Sequence, residues 1–174
     1  MAWSDSLWVS SCHAAASPTK TCTPPGGPYY PAAMLRTIST ADQDPRIPVF
    51  LSARLGVCFH PPYTTMGLEK DGEIIAAFLF NIYTGPDIHV TIAGSGWTRR
   101  FLRDMGQYLF EHLQVERFTA ITEKQNVVDI VYRVGGRQEG LIRNHFGPGR
   151  DGILLGVLKD EYRYQTHGKL AQGS

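Results

Sequence analysis

The run Asp87-Ile88-His89-Val90-Thr91-Ile92-Ala93-Gly94-Ser95-Gly96-Trp97-Thr98-Arg99-Arg100-Phe101-Leu102-Arg103-Asp104-Met105, continuing to Leu113, decides how this chain is read. Its first part alternates apolar residues at 88, 90 and 92 with others, the period of a strand. Gly94-Ser95-Gly96 breaks that period. Phe101, Leu102, Met105, Leu109, Phe110 and Leu113 then fall three and four apart, one apolar stripe along a helix. A strand therefore hands over to a helix across a glycine turn. The first turn of a helix leaves backbone N–H groups unpaired and carries the positive end of the macrodipole, so the junction is suited to an anion. Thr98, Arg99, Arg100 and Arg103 add a hydroxyl and three guanidinium groups in the opening turns. A plain strand-to-helix turn with a solvated basic face is the alternative, and the surrounding chain has to decide.

Outward from this run, a β-α-β-β-β-α-β-α-β-β order emerges. Upstream, residues 35–38 form a short strand. Asp44-Pro45 offers a cap and a first-turn proline for a helix over 45–55 that Gly56 stops. His60-Pro61-Pro62 lies in a loop of the kind that walls a substrate cleft, with His60 and Tyr63 as candidate lining. Asp71-Gly72 between the apolar runs 65–70 and 73–83 signals a hairpin. Its second strand is apolar on both faces and so belongs in the middle of the sheet. Downstream, residues 117–122 make a further strand, Asn126 caps a helix over 127–134 that Gly135-Gly136 ends, and 139–144 with 153–158 close the chain as a hairpin.

The chain has 174 residues, 43% of them hydrophobic, with a formal net charge of +1. That suits one domain with a sizeable core. The charge makes no electrostatic case for nucleic acid or a membrane surface as partner, and no apolar run approaches the roughly 20 residues of a membrane span. Cysteines at 12, 22 and 58 lack the spacing of a disulfide framework or a zinc site, so free thiols in a reducing, cytoplasmic setting are expected and no metal is. Residues 1–33, rich in proline turns and without period, read as an irregular extension: a flexible arm, or a segment that translation from Met34 would omit. The domain is expected over 34–164 and a flexible tail over 165–174.

The element order, with Thr119-Ala120-Ile121-Thr122-Glu123-Lys124-Gln125-Asn126, Tyr132-Arg133-Val134-Gly135-Gly136-Arg137-Gln138-Glu139-Gly140 and Asp151-Gly152-Ile153-Leu154-Leu155-Gly156-Val157-Leu158, resembles the GNAT superfamily of N-acetyltransferases over about 35–164. It is also similar in general character to divergent, phage-type acetyltransferase-like proteins. The resemblance implies an α/β fold, the GNAT acyl-CoA N-acyltransferase fold, with a mixed central sheet of about six to seven strands flanked by helices. It implies a sheet that splays between its fourth and fifth strands and takes acetyl-CoA in the gap, the pantetheine arm along strand four and the pyrophosphate on the next helix start.

Carried over by position, the resemblance gives cofactor-binding roles to Val90, Ile92, Gly94, Gly96, Trp97, Thr98, Arg99, Arg100 and Asn126. Within the family's phosphate loop Gly96 and Thr98 stand for the two glycines and Ala93 for the Gln or Arg. Asn126 lies nine residues before Gly135 where the family commonly has eleven. Val131 holds the place of the family's tyrosine acid, with Tyr132 beside it, and Gly136 replaces a phenylalanine. His89, out of phase with Ile88, Val90 and Ile92, is the candidate general base or else a histidine bonded within the sheet. Glu123, Tyr132 and Asp151 are the other acid–base candidates, although carboxylates at strand ends are more often solvated or capping. The implied activity is acetyl transfer from acetyl-CoA to a primary amine of a small-molecule or protein acceptor, by a monomer or homodimer. The rivals are a non-catalytic binding or structural protein on the same fold and a phage enzyme modifying nucleic acid, the latter disfavoured by the near-neutral charge.

Overall fold

The computed structural model describes residues 34–165. The expectations for 1–33, Cys12, Cys22 and the tail beyond 165 lie outside the described residues.

Seven strands and three helices follow one another in the order the sequence predicts: β1 (Leu35–Ile38), α1 (Arg46–Leu55), β2 (Thr64–Lys70), β3 (Glu73–Asn81), β4 (Asp87–Gly94), α2 (Arg99–Gly106), β5 (Arg117–Thr122), α3 (Gln125–Val134), β6 (Arg137–Ile142) and β7 (Gly152–Leu158). They make one mixed sheet in the order β1-β2-β3-β4-β5-β7-β6. All neighbours are antiparallel except β4 and β5.

β3 is central because both its faces are apolar. Ala76, Phe78 and Phe80 pack into the larger core under α2 and α3, while Ala77 and Leu79 join Ile47 and Leu51 of α1 on the other side. The β2–β3 turn has φ of 51° at Asp71 and 90° at Gly72, the two left-handed residues a tight hairpin needs. On β4 the same alternation sends Ile88, Val90 and Ile92 to the larger core and leaves His89 and Thr91 on the α1 side. Burying Phe101, Leu102 and Met105 of α2 on that core is worth about 1.5–3 kcal/mol each.

Three local expectations are corrected. Asn126 does not cap α3: the helix starts two residues earlier, its flanking residue is Lys124, and the turn is closed by Thr122 Oγ1, which accepts the Lys124 N–H at 3.0 Å. Asp44 does cap α1, its Oδ1 accepting the Arg46 N–H at 2.9 Å, but Pro45 stands as the flanking residue rather than the first helical one. The long helix is not α throughout. From Gln107 to His112 it widens to a π-helix, with Leu113 N–H donating to the Tyr108 carbonyl five residues back. Just before this stretch Tyr162 packs on the helix: its buried hydroxyl donates to the Leu102 carbonyl at 2.5 Å, and its ring lies where a Cβ on Gly106 would stand, 2.4 Å from Cε1.

Candidate active site

The sheet opens at one place. β4 and β5 pair only at Asp87 with Arg117, Ile88 with Phe118 and His89 with Thr119. Beyond His89 the two strands part, while β4 stays paired with β3 as far as Gly94. The backbone from Val90 to Gly94 therefore has no strand beside it on the β5 side, and buried N–H and C=O groups left this way demand a partner.

Side chains fasten the closed end of the gap. Thr119 Oγ1 donates to Asp87 Oδ2 at 2.8 Å, and Arg117 Nε faces Asp87 Oδ1 at 3.7 Å, an ion pair without a hydrogen bond. Arg117 Nη2 bonds Glu139 of β6 at 2.6 Å, and that carboxylate raises the guanidinium pKa further. The two strands are thus joined before the gap begins and separate after it.

A cavity of about 570 Å³ lies at the opening on the α1 side. His89, Val90 and Thr91 come from β4, and Thr119, Ile121 and Thr122 from β5. Leu55, Val57 and Phe59 from the end of α1 and its following loop close one wall; of the loop over 59–63 only Phe59 takes part, and the candidates His60 and Tyr63 lie outside it. His145, Phe146 and Arg150, from the β6–β7 connection, close the other. Sequence reasoning missed these three, though an aromatic and basic cluster inside a Gly-Pro-Gly turn is the kind of signal that marks a lining loop.

A second, narrower hollow of about 130 Å³ continues toward the helix junction, lined by Arg54 of α1, Ile92, Gly94, Trp97, Asn126 and Ile130, with Lys124 common to both spaces. Gly94 has to be glycine. Its φ is 109°, and a Cβ there would stand 2.2 Å from the Ile75 carbonyl oxygen, which also accepts the Ser95 N–H. Trp97 is half-buried and packs on Phe78 and Phe101 with centroids 5.0 and 5.9 Å apart, so it is both core rim and slot wall.

At the helix start, Thr98 Oγ1 accepts the Phe101 N–H at 3.1 Å and Thr98 O the Leu102 N–H at 3.0 Å. The N–H groups of Arg99 and Arg100 have no partner among the described residues, and both side chains are exposed beside them. Gly96 precedes this turn at φ 80°. The junction keeps the free donors and the positive charge that an anion needs.

The acid–base candidates are not gathered at one point. His89 is half-buried in the larger cavity. Glu123 lines its mouth but is held from two sides by Arg150, whose Nε donates at 2.9 Å and whose Nη2 also contacts it; the guanidinium lowers the carboxyl pKa. Tyr132 is exposed and lines a separate surface hollow with Gly135, Arg137 and Arg163. Asp151 accepts the Asn144 N–H at 2.8 Å and serves its turn. Gly136, in the place of the family's phenylalanine, leaves no room for a side chain: a Cβ would lie 2.5 Å from Val131 and 2.6 Å from Val157. Among the described residues no group of three or more His, Cys, Asp or Glu can hold a metal ion, and no helix is long and apolar enough to cross a membrane.

No protein-family model matches the sequence, and no curated protein is similar to it at a significant level. Solved structures are similar in fold. A single-substitution mutant of the spermidine N-acetyltransferase SpeG from Vibrio cholerae superposes with a TM-score of 0.58 at 14% identity, over 75% of this chain and 96% of that one. The Vibrio cholerae enzyme in complex with CoA and spermine gives 0.54 at 13% identity, over 75% and 97%. Its dodecameric form gives 0.54 at 14%, over 74% and 94%. At these identities the likeness is one of fold, and the fold is that of the GNAT acetyltransferases.

Proposed function

We propose, from that fold and from the gap beyond His89, that the protein transfers an acetyl group from acetyl-CoA to a primary amine. The observation that carries the reading is the unpaired β4 edge leading straight to a helix start with free N–H groups. The two fit the two halves of such a cosubstrate. Backbone groups of Val90 and Ile92 take an extended amide arm as an added strand. Gly94 and Gly96 let the chain turn closely beneath the diphosphate, which Thr98, Arg99 and Arg100 hold, and Trp97 and Asn126 wall the slot between. When bound, acetyl-CoA supplies an acyl carbon activated by a thiol leaving group.

The chain's own part is mainly placement. The larger cavity holds the amine on the side of β4 that His89 occupies. His89 accepts the proton that the amine gives up as its nitrogen bonds to the acyl carbon, while the carbon–sulfur bond breaks and the thiolate recovers a proton from solvent. We give no proton-transfer role to Glu123, which Arg150 occupies, or to Tyr132, which lies in another hollow.

Titration calorimetry tests the reading first. Acetyl-CoA is expected to bind at micromolar concentration, and no heat at millimolar concentration overturns it in favour of a binding or structural protein. That rival draws on Ala93, a buried small residue where the family has a phosphate-facing side chain. A coupled thiol-release assay with amines then tests turnover.

A further inference from the structure

The acceptor class is written in the lining of the larger cavity. We infer, on the acetyl-transfer reading above, that the acceptor is an α-amino acid with an apolar side chain, its carboxylate received by Lys124.

Three observations carry this. First, the lining holds one carboxylate, Glu123, and Arg150 engages it from two sides, so its charge is already answered. A polycationic amine entering here would find no free anion and would lose hydration without repayment. Second, Lys124 makes no ion pair among the described residues and stands where the cavity meets the narrower slot. A carboxylate bonded there holds the adjacent α-amino nitrogen at the mouth of the gap, on the face His89 occupies. A nearby cation also disfavours protonation of that nitrogen, which favours the neutral form that attacks.

Third, an apolar patch of Val57, Phe59, Ile82 and Phe146 lies in the remaining wall, beside Asn81 and His145. Ile82 is the telling member, a β-branched residue at φ 49° with 59% of its surface exposed. That conformation is strained for isoleucine, and strain of this kind persists where a side chain must be presented to something. The volume of about 570 Å³ suits an amino acid with a large side chain rather than a folded protein loop alone. In the step itself the α-amino nitrogen bonds to the acetyl carbonyl carbon, the carbon–sulfur bond breaks with its electron pair on sulfur, the nitrogen's proton passes to His89, and the thiolate takes a proton from solvent, giving the N-acetyl amino acid and free thiol.

The test is calorimetric, on the full chain saturated with CoA, with phenylalanine, phenethylamine and spermidine as probes. Phenylalanine is expected to bind at least tenfold tighter than phenethylamine, and spermidine most weakly. Lys124→Ala, at an exposed site, should narrow the phenylalanine-to-phenethylamine ratio to about twofold, and Ile82→Ser should weaken both about fivefold. Tightest binding by spermidine, an unchanged ratio in Lys124→Ala, or no binding by any probe while CoA still binds overturns the acceptor class and leaves the transferase reading standing. Loss of the CoA heat itself brings down both.

Discussion

Gly94→Ala is the substitution whose effect the structure fixes most closely. Its φ of 109° lies in a region that L-residues avoid, a penalty of about 1–3 kcal/mol. The added methyl also meets backbone, at 2.2 Å from Ile75 O and 2.5 Å from Ala76 Cα, so β3 and β4 must part locally. That movement strains the packed sheet by about 1–3 kcal/mol, and it weakens the 2.9 Å bond from Ser95 N–H to Ile75 O, worth about 1 kcal/mol more. Gly85→Ala is the matched control, with φ of 96° and nothing within 4 Å of its Cβ. It carries the conformational penalty alone. The difference, about 3 kcal/mol, should appear in urea unfolding as a midpoint roughly 1.5 M lower for Gly94→Ala than for Gly85→Ala at an unchanged slope near 2 kcal/mol/M. Acetyl-CoA affinity should fall with Gly94→Ala only. Equal midpoints for the two variants would refute the argument that close approach to β3, rather than dihedral preference, requires glycine at this junction.

Replacing Arg99 and Arg100 together by alanine should weaken acetyl-CoA binding about 30-fold, with a shallower salt dependence than the parent, read by calorimetry at two ionic strengths. His89→Gln should lower the acetylation rate about 100-fold, whereas an unchanged rate would take the base role from His89. Tyr162→Phe removes the buried hydrogen bond to the Leu102 carbonyl and should cost about 0.5–1.5 kcal/mol in thermal denaturation. Asp44, its carboxyl pKa lowered by hydrogen bonds from Arg46, contributes stability above the ordinary carboxylate range that is lost as pH falls through its lower folded value. The gap in melting temperature between the parent and Asp44→Asn should therefore close as pH drops below about 4.

Most of the fold was legible because its signals are local. Period-2 and period-3.6 runs, the Asp71-Gly72 turn and the two-sided apolar run of β3 each depend on residues close in sequence. The departures come from contacts made at long range. The π-helical stretch over 107–112, and the contact that Tyr162 makes with Leu102 sixty residues earlier, are announced by no helical pattern in 101–113. The start of α3 follows a hydroxyl on the preceding strand, Thr122, and Asn126 was the more conspicuous capping residue. At the site, the strand-to-helix junction and His89 could be read from periodicity and phase. The length over which β4 and β5 stay paired could not, because it depends on where side chains fasten the strands. Nor could the closing wall from 145–150, which sits next to β4 only after β7 has inserted between β5 and β6.

An interior edge has one more consequence. Backbone donors and acceptors from Val90 to Gly94 are offered in an extended line, and nothing in that line is selective for one extended partner over another. On the acetyl-transfer reading proposed above, the protein kept without acetyl-CoA carries, in the middle of its sheet, a template onto which a loose peptide segment, its own or a neighbour's, can zip. Shelf life and resistance to clumping should accordingly track the amount of cosubstrate in the buffer more closely than they track melting temperature.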